Sequence, residues 1–333
     1  MRYLTILCLA VMVLAAACGG DDSAARFTAT QPPQGTPVAT SSAAVSTDPA
    51  TMPSEFRVAF INLMSPVALD ATDSAASDTY DQRLDLIIEE LKAFKPDMVG
   101  FNEATNTKAH DSAVAKLAKE LKMEQQQVRA NPWFPNATKE QNDEIAKQSG
   151  FEEFEVILAR ASFPILKADR SWVNPRTSET EGRAVLHVVV KTPTPLNNID
   201  VYITHLTGGG DKVRGAQAAS VLGFVNDTRG SGPLLLMGDL SDVNTSAAYK
   251  VFVAGGLRDA GSAANLPTCC REKIVGEQPP LTLRTDYFFA DRWAAPTLQL
   301  WGDKPHARAD GTLLYPSDHN GLMAVFPLAA PAP

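Results

Sequence analysis

The sequence predicts an α/β layered sandwich. Three observations point there. Short β-rich runs alternate with amphipathic helical stretches, hairpin connections mix with helix-length crossovers, and the 333 residues, 44% hydrophobic and 20% charged, supply an ample core. The same composition excludes disorder over most of the length. Lys plus Arg number 30 against 38 Asp plus Glu, a formal charge of −8. That balance speaks against holding nucleic acid through a broad basic face, because neutralising phosphates needs surplus cations. It permits a site that gathers carboxylates around a metal ion. The Cys residues, Cys8, Cys18, Cys269 and Cys270, are too few and too badly placed for a disulfide scaffold or a structural zinc site.

The N-terminus reads as a targeting segment over residues 1–17. Arg2 is followed by an uncharged apolar run, Leu4 to Ala17, too short to span a bilayer and suited to a signal peptide. Leu14-Ala15-Ala16-Ala17-Cys18 resembles a bacterial lipobox, with Ala15 at −3 where the usual Leu stands one place earlier, at Leu14. The resemblance implies cleavage before Cys18 and lipid on its thiol. An ordinary signal peptide cut near Ala17 is the alternative. Both imply export, and acyl chains on Cys18 would hold the protein on a membrane at the cell envelope. Residues 18–54 are rich in Ser, Ala, Thr, Pro and Gly without apolar periodicity, and read as a flexible tether. Residues 55–329 form the folded domain, with no second linker and no internal repeat.

Within that domain Phe56 to Leu63 is a β-rich run. Leu84, Ile87, Ile88, Leu91 and Phe94 recur at helical spacing and stop at Pro96. Met98 to Phe101 follows as a buried strand, and Val114, Leu117, Ala118 and Leu121 mark a second helix. Val156 to Ala159, Ala184 to Lys191 and Ile199 to Leu206 read as strands, the last two joined by a Pro/Asn turn. Val213 to Val225 reads as a helix, Leu234 to Met237 as a strand and Ser246 to Val253 as a short helix. Tyr287 to Ala290 and Leu322 to Phe326 are late strands.

Polar groups stand at or just beyond the ends of these apolar runs: Asn62, Glu103, His205, Asp239, Asp286, and the pair Asp318-His319. Each alone reads as a helix cap, a turn residue or a structural histidine. Their repeated placement beside strand ends, where layered α/β folds build sites, favours function. The stretches Phe60-Ile61-Asn62-Leu63, Lys95 to Glu103, Thr204-His205-Leu206, Met237-Gly238-Asp239-Leu240, Arg284-Thr285-Asp286-Tyr287 and Ser317-Asp318-His319 occur in the order of the endonuclease/exonuclease/phosphatase superfamily, the DNase-like phosphoesterases, which the chain resembles over nearly all of residues 56 to 327.

The resemblance implies a four-layer α/β sandwich, with two mixed sheets face to face and helices outside. It implies an Mg²⁺-dependent phosphoesterase, with Mn²⁺ or Ca²⁺ as substitutes. A phosphate ester is anionic and repels a nucleophile, and a carboxylate-held divalent ion neutralises a phosphate oxygen and steadies the leaving group. By resemblance Glu103, Asn62 and Asp318 are metal ligands, and Asp239 orients or deprotonates the attacking water. His319 binds phosphate with Asp286 as its carboxylate partner. His205 is a second catalytic histidine, either a phosphate contact or a proton donor to the leaving oxygen. Arg183 is either a further phosphate contact or a surface ion pair.

The chain departs from the family at Ser241, where Gly238-Asp239-Leu240 is usually followed by Asn. By resemblance Ser241 takes the place of the Asn that binds phosphate; a serine hydroxyl donates one hydrogen bond but lacks the amide fork, and Asp242 or Asn244 could compensate. The usual Asn-Gly before the Ile157-Leu158 strand is replaced by Glu153-Phe154-Glu155. Thr268-Cys269-Cys270 is similar to a segment of exported bacterial members, and the two Cys are either a vicinal disulfide or two thiols. His187, mid-strand, reads as structural, and His110 and His306 as solvent-facing. Substrates compatible with this reading are nucleic acid, nucleotide, inositol phosphate or a phospholipid headgroup; the charge of −8 and the 7% aromatic content disfavour tight nucleic-acid binding. No protein partner is implied. The rival expectation is a weakened, phospho-ligand-binding lipoprotein that retains the fold.

Overall fold

The computed structural model describes residues 53–66, 79–134, 136–176, 182–192, 198–264 and 266–328. In chain order these form β1 (Glu55–Asn62), α1 (Tyr80–Phe94), β2 (Met98–Thr107), α2 (Ala113–Leu121), β3 (Glu124–Asn131), α3 (Lys139–Ser149), β4 (Phe151–Ala159), β5 (Ile165–Trp172), β6 (Ala184–Val190) and β7 (Ile199–His205). There follow α4 (Asp211–Thr228), β8 (Leu234–Asp239), α5 (Ala247–Ala254), β9 (Arg258–Asp259), β10 (Asp286–Asp291), β11 (Thr297–Trp301), β12 (His306–Ala307), β13 (Leu313–Leu314) and β14 (Gly321–Pro327). The signal-peptide segment, the tether up to residue 52 including Cys18, and residues 193–197 of the turn between β6 and β7 lie outside the described residues. No described helix is long and apolar enough to cross a membrane.

Two six-stranded mixed sheets carry the fold, ordered β11-β14-β1-β2-β4-β3 and β5-β6-β7-β8-β10-β9. Each has one parallel pair, β1 with β2 and β7 with β8; their other pairings are antiparallel. In both parallel pairs the strands are joined through a helix, α1 or α4, as a parallel crossover requires. Both central strands of each sheet therefore run toward the same end.

Three apolar clusters define the four layers. Phe56, Val58, Phe60, Met98 and Ile157 of the first sheet meet Leu186, Val188, Val201, Ile203, Leu235 and Met237 of the second, so the sheets pack face to face. The opposite face of the first sheet, Ile61, Val99, Phe101 and Leu158, is covered by Leu84, Ile87 and Leu91 of α1 and Val114 and Leu117 of α2. The outer face of the second sheet, Tyr202, Leu234, Leu236 and Phe289, is covered by Val221 and Val225 of α4 and Phe252 of α5. The four-layer sandwich expected from the sequence is thus the observed fold.

The expected elements are all present, with ends shifted by a few residues. The apolar pattern does not mark the edge elements: β3, β5, β11, the short β9, β12 and β13, and the polar helix α3. Helix α3 buries only Asn142 and Ala146 and owes its start to a capping box between Thr138 and Gln141.

Candidate active site

The carboxyl ends of β1, β2, β7 and β8 converge at one end of the two sheets. Register brings Asn62 beside Asn102, His205 beside Asp239, and Asp239 beside Asp286 at the start of β10. The pairing of β2 with β4 breaks between Phe101 and Ala104, and Glu103 sits there with φ of 55°. A bulge of this kind turns a side chain out of the strand's alternation, and here it serves Glu103. Gly238 has φ of 153°, and a Cβ there would lie 1.9 Å from the Thr204 carbonyl oxygen, so only glycine lets β7 and β8 close up beside Asp239.

Asp239 is the hub. Its Oδ2 accepts from Asn62 Nδ2 at 3.2 Å and lies 3.6 Å from His205 Nε2 and 3.7 Å from His319 Nε2. Its Oδ1 accepts the Ser241 amide at 2.6 Å, and its own amide donates to Asn102 Oδ1 at 2.9 Å. Asn62 Nδ2 also donates to Glu103 Oε1 at 2.9 Å, and the Ser65 amide holds Glu103 Oε2 at 2.7 Å. His319 Nδ1 is 2.9 Å from Asp286 Oδ2, which also accepts from Thr285 Oγ1. Ser317 Oγ donates to the Asn62 carbonyl at 2.7 Å and lies 3.1 Å from Asp318 Oδ1, tying the last loop to β1. The structure therefore brings together Asn62, Glu103, His205, Asp239, Asp286, Asp318 and His319.

Burial governs the charges. It raises Asp239 to about 6, reinforced by Asp286 and opposed by His319 and by hydrogen bonds from Ser241 and Asn62. Burial, then Asp318, raises Glu103. Burial would depress His319, but Asp286, Asp318 and Asp239 outweigh it and hold the imidazolium well above the ordinary histidine range. His205 is pushed well below that range by burial, then by Arg183 and His319. One imidazole is thus held charged and the other neutral within reach of one carboxylate.

The Glu103 carboxylate, desolvated and beside Asp318, is short of positive charge. The oxygen donors of Glu103 and Asp318 fit a hard divalent cation. Asn62, expected as a third ligand, instead turns its Nδ2 to Glu103 and Asp239 and its Oδ1 to the Met64 amide, so it orients the two carboxylates.

Several residues sit differently from expectation. The Ser241 hydroxyl donates to the Leu206 carbonyl at 3.0 Å, so its proton is spent on backbone and only its amide serves Asp239. Asp242, a possible substitute for the missing Asn, accepts from Arg214 Nε at 2.6 Å and from the Val243 amide. Arg183 is not a surface ion pair: it is buried, 3.9 Å from Glu153, and its charge reaches His205. His110 and His306 are half-buried against Asp81 and Glu90, at 2.9 and 3.0 Å, and do not stand free in solvent. Of the two states left open for Cys269 and Cys270, the structure has the vicinal disulfide, in line with one of the expected alternatives.

Glu155 has no role that the sequence assigns. It is fully buried, accepts from Asn102 Nδ2, and so stands behind the Asn102 that orients Asp239. Burial, then Glu153, raises its carboxyl well above the usual range. Its signal in the sequence is the pair Glu153 and Glu155, two acids at strand spacing immediately before the apolar run Val156 to Ala159.

The chain belongs to the endonuclease/exonuclease/phosphatase family, whose sequence profile matches residues 68–319. Among solved structures it is similar to a member of that family from Bacteroides thetaiotaomicron, at 19% identity and a TM-score of 0.61 over 82% of this chain and 97% of the other. It is also similar to the human Nocturnin catalytic domain with bound sulfate, at 21% identity and 0.56 over 82% and 93%. A third is a mannosyl-6-phosphatase from Bacteroides thetaiotaomicron, at 20% and 0.57 over 81% and 98%. At these identities the likeness concerns the fold. Among curated proteins none matches the sequence significantly.

Proposed function

We propose that this protein hydrolyses phosphate esters with a divalent cation, Mg²⁺ in the first instance, and acts at the bacterial envelope through lipid on Cys18. The observation that carries the reading is the contact of one buried carboxylate, Asp239, with two imidazoles and with Asn62, itself bonded to Glu103. Glu103 and Asp318 would hold the cation, which would supply charge neutralisation for the phosphate and the leaving oxygen, and Asn62 Nδ2 would orient Glu103 and Asp239.

The chain's own groups do the rest. Asp239 Oδ2 lies between two imidazole nitrogens, where it can orient a water molecule and take its proton. His319, held by Asp286, offers a charged N–H at Nε2 to a phosphate oxygen. His205, neutral and 3.6 Å from Asp239, offers a second N–H to the same group. Arg183 adds positive charge behind His205. The formal charge of −8 and the membrane tether favour a small ester or a lipid headgroup over a long nucleic acid.

The test is a panel of p-nitrophenyl phosphate, bis-p-nitrophenyl phosphate, sugar phosphates, inositol phosphates, phospholipids, RNA and DNA with Mg²⁺, Mn²⁺ or Ca²⁺. Turnover of at least one ester, abolished by chelation, is expected. Binding of phosphate without turnover of any ester supports the weakened-binder alternative. Partition of the wild-type chain into detergent, lost in Cys18→Ala, tests the anchor.

A further inference from the structure

The sequence leaves the state of Cys269 and Cys270 open and gives them no role. The structure joins them as a disulfide beside the centre. Cys270 Sγ is 3.4 Å from His319 Nε2, the nitrogen not used by Asp286, and both sulfurs and that imidazole offer atoms within 4.8 Å of one another. Cys270 is exposed and Cys269 half-buried, so the disulfide faces the space into which His319 points.

The segment is fixed on both sides to loops of the site. Thr268 Oγ1 accepts the amides of Thr285 and Asp286, both at 3.1 Å. The Asn320 amide donates to the Thr268 carbonyl at 2.8 Å, and the Arg271 amide to the Asp318 carbonyl at 2.9 Å. Cys269 forms an antiparallel bridge with Leu283. Opposed residues of such a pair present their side chains to the same face, and Leu283 is 51% exposed, one of few large apolar side chains left so among the described residues. A cystine and a leucine thus make an apolar, polarisable rim beside the histidine.

We infer that the Cys269–Cys270 disulfide, with Leu283, is a specificity-determining contact for the organic group of the ester, selecting esters that carry an aromatic or otherwise apolar face next to the phosphate. The inference rests on the phosphoesterase reading of the site. A phosphate held at His319 Nε2 places its substituent within reach of the sulfurs, and sulfur contacts with aromatic rings are favourable.

The experiment measures binding by calorimetry, on the full chain in detergent with Mg²⁺, for two probes: inorganic phosphate and phenylphosphonate. The Cys269→Ser/Cys270→Ser variant is expected to bind phenylphosphonate about three- to tenfold more weakly, with phosphate changed by less than about twofold. Wild-type protein treated with a dithiol, which converts the disulfide to two thiols as the reagent closes to its own disulfide, should show the same contrast, and reoxidation should restore it. The reduced wild type decides the matter if the variant does not fold. Equal weakening of both probes makes the disulfide a brace for the catalytic loops and overturns the inference, as does no change in either. Turnover is followed in parallel: a wild type that binds both probes but hydrolyses no ester overturns the proposed activity, while the contrast between the two probes still decides whether the disulfide selects the organic group.

Discussion

His187 and His319 are both buried imidazoles bonded to carboxylates, and the difference between them separates structure from function. His187 lies mid-strand in β6 with Nδ1 at 3.2 Å from Asp169 and Nε2 at 2.8 Å from Asp200, and its ring stacks on Tyr202 at 4.2 Å. Both nitrogens are spent. His319 spends only Nδ1, on Asp286, and leaves Nε2 facing Asp239 at 3.7 Å and the exposed Cys270 sulfur. A histidine with one nitrogen fixed by a carboxylate and the other available is oriented for a ligand. His205 carries the same lesson: its Nε2 faces Asp239, while Nδ1 is buried without a hydrogen-bond partner among the described residues.

Substituting each histidine puts the contrast under the greatest load. His319→Asn should lower kcat on the best ester by about 10²- to 10⁴-fold, the range for loss of a positioned acid–base or charge-stabilising group. His187→Leu should leave kcat of the folded protein within about twofold, but should cost about 1–3 kcal/mol for the buried Asp200 Oδ1 left without its donor, read as a lower urea midpoint. A His187→Leu protein that stays as stable as wild type, or loses its activity while folded, would erase the distinction.

Smaller effects are expected around Asp239. Ser241 has φ of 51°, a conformation Asn tolerates well. Ser241→Asn should therefore fold normally and, by adding an amide donor toward phosphate, raise kcat on a phosphodiester by roughly ten- to a hundredfold. A fall in kcat would mean that the Ser241 bond to Leu206 belongs to the working arrangement.

Glu155→Gln probes the buried acid behind Asn102. Burial raises the Glu155 carboxyl, so the folded chain holds that proton more tightly than the unfolded chain. Its contribution to stability is present at low pH and is lost as pH climbs from the ordinary carboxyl range toward the folded value. Glutamine does not titrate and keeps an acceptor for Asn102. The variant's advantage in urea midpoint over wild type should therefore grow from pH 5 to pH 8; a constant difference would speak against the burial of a titrating acid there.

Much of this is legible in the sequence. Strands buried on both faces, such as Leu234 to Met237, betray themselves as apolar runs, and polar groups directly after them mark the site. Edge strands do not: β3 begins Glu124-Gln125-Gln126-Gln127 and is exposed over its first half, so neither alternation nor an apolar run identifies it. Helix α3 is polar all round, and only its capping box betrays it. Local sequence cannot reveal where Ser241 spends its hydroxyl, the commitment of Asp242 to Arg214, or the approach of Cys270 to His319, because each depends on packing between segments distant in the chain.

The activity expectations turn on the proposal that Glu103 belongs to a cation site serving Asp239 and His319 in phosphate-ester hydrolysis. Hydrolysis of bis-p-nitrophenyl phosphate across a Mg²⁺ titration, in wild type and in Glu103→Gln, tests that role without intermediaries. Wild type should turn over in a metal-dependent way. Turnover of the variant should be lower by about a hundredfold or more at limiting Mg²⁺, in a protein that still unfolds cooperatively in urea. Equal turnover of both proteins at limiting Mg²⁺ would remove Glu103 from the cation site.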